Sequence, residues 1–477
     1  MPRTRIVCTI GPASREPETL RQLIQAGMDV ARLNFSHGDQ PTHAENIERI
    51  RAAAEQVGKP VAILADLQGP KMRVGTMEGE GVILVEDTEA ILTADDAIGR
   101  GPEALPVQYK ALPHLVKAGD RILLDDGLME LRVLSTSETQ IRCRVVVGGL
   151  LKSNKGINLP RAPLDIPAIT AKDRKDLAFA LERQVDWIAL SFVRAADEVM
   201  GLKQLIRFLS PTDEPVPVVA KIEKPEALGK IDDIIATADA IMVARGDLGI
   251  ELSAEEVPLA QKQIIEKCNR EGVPVITATQ MLESMIHNTR PTRAEASDVA
   301  NAILDGTGAL MLSGETSIGA HPVKALRTMV RIAEEVEGHK SEVFACPLLI
   351  PGALHAPTVA DAVSHAARET AQDLNAAAII TPTASGYTAG LMSRYRPESP
   401  IVAVTPSPAV QRQLMLYWGV TPLLAPRTDN TDEMTAQAVE AAKARGLVKA
   451  GDTVVITAGS AGTAPGTTNL MKVQVVE

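Results

Sequence analysis

Short aliphatic and β-branched runs recur along the chain, separated by amphipathic stretches. Eight of them, Arg5 to Ile10, Asp29 to Ser36, Val61 to Gln68, Val185 to Val193, Pro217 to Glu223, Ala240 to Asp247, Val273 to Gln280 and Ala309 to Glu315, have the length of buried strands. Between them, segments such as Glu16 to Ala26 and Ala254 to Arg270 space their apolar residues at about 3.6 and are flanked by glycine, as helices are. Eight βα units in succession predict an α/β protein built on a closed parallel (β/α)8 TIM barrel, with its active-site groups at the C-terminal ends of the strands.

The regularity breaks once, between the third and fourth runs. From about Pro70 to Pro163 the pattern becomes alternating strands, as in Gln140 to Val147, with turn signals at Asp126-Gly127 and Gly148-Gly149. An inserted β-barrel domain is expected there, placed beside the third strand's loop as a lid. Its exit carries Pro160, Pro163 and Pro167, after which Thr170 and Asp173 form a capping box that restarts a helix. Beyond Glu342, Pro347, Pro351 and Pro357 mark a linker, and Ala378 to Thr383, Pro400 to Thr405 and Thr453 to Ala458 read as strands of a C-terminal α/β domain. The expected division is 1–69 with 164–342 for the barrel, 70–163 for the lid and 343–477 for the last domain.

Composition narrows the function. A chain of 477 residues suits roughly three domains at about 100 to 200 residues each. Its 49 Lys and Arg against 60 Asp and Glu, a formal charge of −11, oppose a broad nucleic-acid or anionic-membrane surface. With only 2% aromatic residues, platforms for stacking bases are scarce as well. Cys8, Cys143, Cys268 and Cys346 lie far apart with no C-x-x-C pair, which indicates neither zinc site nor disulfide framework. No signal peptide and no run of about 18 uncharged apolar residues is present, so the expected compartment is the cytoplasm.

The chemistry is written in period 2. In the second run Ala31, Leu33 and Phe35 alternate with Arg32, Asn34 and Ser36, which gives one apolar and one polar face. Similar polar pairs, Asp66 with Gln68, Lys221 with Glu223, Thr277 with Thr279 and Ser313 with Glu315, end other runs. Taken singly, each is as well explained by an ion pair inside the barrel; five together imply one polar mouth. Glu223 and Asp247 suit Mg²⁺, which takes one or two carboxylates and completes its shell with water and phosphate oxygens. Gly246, before a helical pattern, offers backbone N–H groups to an anion, although a Gly-Asp dipeptide by itself reads as a turn.

These residues carry a family resemblance. Cys8-Thr-Ile-Gly-Pro-Ala-Ser14, Arg32-Leu-Asn-Phe-Ser-His-Gly38, Ala220-Lys-Ile-Glu223, Val243-Ala-Arg-Gly-Asp-Leu-Gly249, Ala278-Thr-Gln-Met-Leu-Glu-Ser284 and Leu312-Ser-Gly-Glu-Thr316 resemble, in order, the signature segments of the pyruvate kinase family, in its compact bacterial form. The resemblance implies transfer of the phosphoryl group of phosphoenolpyruvate to ADP with Mg²⁺ or Mn²⁺. It implies Arg32 and Lys221 on the phosphoryl group, the Gly246 and Asp247 backbone on the substrate carboxylate, and Glu223 and Asp247 on the metal. It places Thr279 near the carbon that is protonated, where a hydroxyl so weakly acidic is expected to orient a water linked to Ser313 and Glu315. Asn34, His37, Arg73 and Lys155 match nucleotide positions, while His37 and Lys155 without the family read as solvated surface. Thr383, Ser385, Gly386 and Thr388, with the Gly459 to Asn469 loop, match a site for a phosphorylated effector, and the family is commonly a homotetramer.

Other barrel enzymes bind phosphoenolpyruvate or 2-oxo acids with Mg²⁺ on a Glu and an Asp and do aldol or carbon–phosphorus chemistry. Arg73 and Lys155 speak for a second phosphate-bearing substrate instead. A barrel kept only as a metabolite sensor is opposed by the presence of Arg32, Lys221, Glu223 and Asp247. One segment departs from the family. Many members have Glu where this chain has Lys71, and Thr and Lys where it has Leu67 and Gln68; they hold K⁺ near the counterparts of Asn34, Ser36 and Asp66. The ammonium of Lys71 is therefore expected to act at the site in place of K⁺, the alternative being that it snorkels into solvent.

Overall fold

The structure is a computed structural model that describes residues 2–95, 97–160, 166–212, 214–339, 358–460 and 466–477. The expected linker around Pro347, Pro351 and Pro357, as well as Pro163 and Cys346, lies outside the described residues.

Eight parallel strands close a barrel: β1 Arg5–Thr9, β2 Val30–Asn34, β3 Ala62–Asp66, β4 Trp187–Leu190, β5 Val218–Ile222, β6 Ala240–Ala244, β7 Val275–Ala278 and β8 Ala309–Leu312, with β8 returning to β1. Side chains sort by period 2, as parallel strands under helices require. Val7, Val30, Leu64, Ala189, Val219, Met242, Ile276 and Met311 fill the interior, while Ala31, Leu33, Ile63, Ile188, Ala220 and Ile222 pack outward against helices. Counting two residues on from the interior set carries Thr9, Arg32, Asp66, Ser191, Lys221 and Ser313 to the barrel mouth.

Thr277 departs from the expected polar set. Its neighbours Ile276 and Ala278 point inward, so Thr277 faces the other way, where its hydroxyl meets that of Thr307 at 2.9 Å, fully buried.

Between β3 and β4, seven strands form one curled sheet that opens with Met72–Arg73 and closes with Leu105–Pro106, its middle made by Arg121–Leu124, Met129–Thr136 and Gln140–Val147. A bridge between Val74 and Val107 joins the two ends of that sheet. Its core is separate from the barrel's. The predicted turn at Asp126-Gly127 is present, with positive φ at Asp125, Asp126 and Gly127. Thr170 caps the returning helix Ala171–Glu182 through the expected box with Asp173.

The C-terminal domain has a five-stranded sheet in the order Val420–Leu424, Ile401–Thr405, Ala378–Pro382, Thr453–Ala458, Leu470–Val475, the last strand antiparallel. The two outer strands were not expected from the sequence. Pro422 disguises the first, and an edge is where a strand tolerates proline. This domain is bound to the barrel's far end through buried Asp186, which accepts from Arg51 and from Arg412, both at 2.7 Å. Cys8, Cys143 and Cys268 are buried free thiols, and burial pushes Cys143 up to about 12. Among the described residues no helix is long and apolar enough to cross a membrane.

Candidate active site

Asp66 ends β3 with its carboxylate buried inside the barrel mouth. One oxygen, Oδ2, takes Arg32 Nε and Nη2, both at 2.7 Å; the other, Oδ1, lies 3.2 Å from Lys221 Nζ. Thr9 at the end of β1 holds the far side of the Arg32 guanidinium at 3.0 Å. Burial alone would lift the Asp66 pKa, but Lys221 and Arg32 outweigh it and hold the carboxyl below the usual aspartate range. Lys221 is the converse case: burial works against its charge, yet Asp66 and Glu223 keep its pKa above the ordinary value.

Lys221 meets three partners, since its Nζ also lies 2.9 Å from Glu223 Oε1 and donates to Ser191 Oγ at 2.8 Å. Two residues apart at the end of β5, Lys221 and Glu223 share a face, which sets ammonium and carboxylate side by side. Glu223 is driven up in pKa by burial and, against the pull of Lys221, by the charge of Asp247. Two carboxylates on neighbouring strand ends, one of them fully buried, repel each other and favour a cation between them. The donor set fits Mg²⁺ or Mn²⁺, with oxygen ligands and, among the described residues, no His or Cys hydrogen-bonded or ion-paired to them.

Asp247 stands in the first turn of the helix Arg245–Glu251, which starts as soon as β6 ends. The Gly246 N–H donates to Thr279 Oγ1 at 2.7 Å, and that hydroxyl donates to the Ala278 carbonyl. An anion binding at the Gly246 N–H would displace Thr279 Oγ1 from it. Thr279 and Gln280 both have positive φ, 69° and 53°, and Arg245 pins that turn by donating to both carbonyls. Ser313 Oγ is buried and has no hydrogen-bond partner among the described residues. The two oxygens of Glu315 accept the N–H groups of Leu282 and Ser313, at 3.0 and 2.7 Å.

Lys71 leaves the barrel for the lid with its side chain 23% exposed, its Nζ 3.8 Å from Asp126 of the lid and 4.0 Å from Asp247. It faces the site. Lys155 pairs with Asp125 at 2.8 Å, and Arg73 donates to the Asn154 carbonyl, so both cations rest on the lid. Asn34 Oδ1 accepts the Ser36 N–H, shaping the turn that leads to His37. Partial burial, then the cations Arg73, Lys71 and Arg32, push the His37 pKa down.

In the C-terminal domain Thr383 Oγ1 accepts the Gly386 N–H at 2.9 Å, and Gly386, at φ 84°, opens the helix Tyr387–Arg394. Ser385 is exposed, whereas the Thr388 hydroxyl is buried against that of Thr468. Residues 461–465 of the neighbouring loop lie outside the described residues.

Sequence reasoning missed Thr9, Ser191 and Arg245. Ser191 was findable, because it continues the inward series Trp187, Ala189 by two; Arg245 was not, since its role depends on a turn built from another strand.

Asp66→Asn is expected to cost about 3 kcal/mol of stability, because it leaves two buried cations short of a counter-charge. Since the folded pKa of Asp66 is depressed, its contribution is complete above the unfolded value of about 3.9 and is lost as pH falls through the lower folded value. Urea melts of both proteins in phosphate-free buffer check this: the gap should close on acidification, and equal stability at neutral pH would contradict it.

The chain matches the family model described as pyruvate kinase, barrel domain, over residues 1–326, and that described as pyruvate kinase, alpha/beta domain, over residues 361–474. It is 48% identical to the pyruvate kinase of Bacillus licheniformis, across 100% of this chain and 81% of that one. It is 45% identical to that of Agrobacterium vitis, across 99% and 98%, and 42% identical to that of Clostridium acetobutylicum, across the whole of both chains.

Proposed function

This chain belongs to the pyruvate kinase family, which moves the phosphoryl group of phosphoenolpyruvate to ADP to give ATP and pyruvate, and we propose how its own residues divide that work. The observation that carries the reading is the ammonium of Lys221, held among Asp66, Glu223 and Ser191 at the barrel mouth. Phosphoryl transfer is catalysed mainly by positioning and by cations around spreading charge.

In this reading residues 1–69 and 164–342 are the catalytic barrel, 70–163 the lid and 343–477 a regulatory domain. Arg32 and Lys221 hold the phosphoryl oxygens, and Lys221 stays on the enolate oxygen as the bond breaks. Glu223 and Asp247 hold Mg²⁺, which when bound supplies further positive charge for the transferring group. The Gly246 and Asp247 amides bind the substrate carboxylate. Thr279 positions a water for protonation of the enolate carbon, with the unpartnered Ser313 hydroxyl as the next link and Glu315 fixing the backbone of that loop. Asn34, His37, Arg73 and Lys155 receive ADP. The reaction is the last step of glycolysis, which supports a cytoplasmic location, and the family's usual homotetramer is the expected assembly.

Lys71 supports a further reading, that its ammonium replaces K⁺. A second monovalent cation about 4 Å from that ammonium would meet repulsion of about 4 kcal/mol at an effective dielectric of about 20. The ammonium lies 3.8 Å from Asp126 and 4.0 Å from Asp247, and a Cβ at Gly156 would fall 3.4 Å from its Cε, which favours a role at the site over a solvent-directed one. In the regulatory domain, Thr383, Ser385, Gly386 and Thr388 are assigned to a phosphorylated effector. The exposed Ser385 beside the Gly386 turn favours this.

A coupled assay of pyruvate formation should show activity that requires Mg²⁺ or Mn²⁺. Lys221→Met should lower turnover by about 100-fold or more with a much smaller change in apparent substrate affinity, because its charge acts on the transition state. A defect confined to affinity would contradict the role. Activity should be nearly equal in potassium and tetramethylammonium salts, and Lys71→Glu should make it depend on added K⁺; strong K⁺ activation of the unaltered enzyme would return the monovalent site to Asn34, Ser36 and Asp66. A Ser385→Asp variant should lose activation by sugar phosphates or nucleotides, and an unaltered enzyme whose rate and melting respond to none of them would remove the effector assignment.

A further inference from the structure

Phe192 follows Ser191 beyond the end of β4 with a φ of 56°, in the left-handed region that a bulky residue rarely enters. Its N–H donates to Glu223 Oε2 at 2.7 Å, while Oε1 of the same carboxylate lies 2.9 Å from Lys221. Both oxygens of Glu223 are thus oriented by the chain itself. The strained peptide of Phe192 supplies half of that orientation.

The ring of Phe192 lies against Gly69, where the chain leaves the barrel for the lid. Gly69 has a φ of 68°, and a Cβ there would fall 2.9 Å from Phe192 Cδ2 and 3.1 Å from Ser191 Cβ. The Gly69 N–H donates to Asp173 Oδ1 at 3.1 Å. The other oxygen of Asp173 accepts the N–H and hydroxyl of Thr170, at 2.9 and 2.6 Å, just after the chain returns from the lid. Asp173 is fully buried, so one carboxylate anchors both crossings between barrel and lid.

We propose that Phe192 is a positioning residue that couples the lid hinge at Gly69 to the carboxylate of Glu223. The inference rests on the assignment of Glu223 to the divalent cation. Lid motion that turns the backbone at Gly69 moves the surface on which the Phe192 ring sits. Because the ring and the N–H belong to one residue held in a constrained conformation, that movement reaches Glu223.

The test uses Mn²⁺ alone, its free concentration read by electron paramagnetic resonance over the full-length enzyme without substrates. Gly69→Ala is expected to weaken Mn²⁺ binding by about fivefold or more, in the range of outer partners of metal ligands. In a Phe192→Gly background the same change should shift affinity by less than about twofold, since glycine accepts the positive φ and leaves no ring to displace. Unchanged affinity in Gly69→Ala, or an equal loss in both backgrounds, overturns the coupling. Should Gly69→Ala fail to fold, as judged by its melting temperature, Phe192→Gly decides alone: Mn²⁺ binding weaker by about threefold or more supports the role, and wild-type binding overturns it. Glu223→Gln separates the two ideas. Wild-type Mn²⁺ affinity in that variant removes the metal assignment, whereas lost affinity there with an unaffected Gly69→Ala removes the coupling only.

Discussion

A carboxylate shared between two buried cations organises the mouth of this barrel. Asp66 meets Arg32 with one oxygen and Lys221 with the other, and burying these two cations so far from water requires such a counter-charge, which Lys221 also draws from Glu223. Arg32 enters from β2, Asp66 from β3 and Lys221 from β5, so the interaction also spans strands that are far apart in the chain. Ser191, from β4, closes the gap by accepting from Lys221 and donating to the Leu67 carbonyl at 2.7 Å.

That cluster dictates what its neighbours do. With Lys221 already paired to Asp66, Glu223 receives only part of its charge, and the nearby Asp247 adds a second negative group. The surplus of negative charge at β5 and β6 is what makes a divalent cation a fitting occupant. Lys71 approaches the same surplus from the lid side, on Asp247. A phosphate-bearing substrate then completes a site in which cations and carboxylates already alternate.

Local backbone conformation supports this arrangement where regular structure ends. Phe192, Thr279 and Gln280 take positive φ in the loops that follow β4 and β7. Each such residue costs on the order of 1 kcal/mol or more, which the surrounding hydrogen bonds offset. Arg245 holds the Thr279 turn through two carbonyls, and Glu223 receives the Phe192 N–H. Such residues also occur elsewhere, as at Gln184 (φ 52°) before β4, but at the mouth they carry groups of the site, while the opposite end of the barrel is occupied by contacts to the C-terminal domain such as Arg412 on Asp186.

The barrel and its polar mouth were legible in the sequence because a strand's period of 2 is a local property. Once Leu33 and Val219 are known to be apolar, the sides taken by Arg32 and Lys221 follow from chain geometry. The inserted sheet and the capping box at Thr170 and Asp173 were legible for the same reason. The outer strands of the last sheet were less so, since Pro422 contradicts strand propensity and only its edge position excuses it. Period 2 also misplaced Thr277, whose neighbours Ile276 and Ala278 take the interior, and it could not foresee that Thr279 turns back at positive φ. Which cation meets which oxygen of Asp66, that Glu315 is held by backbone N–H groups, and that Phe192 leans on Gly69 were decided only by the closed barrel. Apart from the Ser313 N–H on Glu315, those contacts join residues tens to hundreds of positions apart, and their distances depend on how eight strands and the lid settle together.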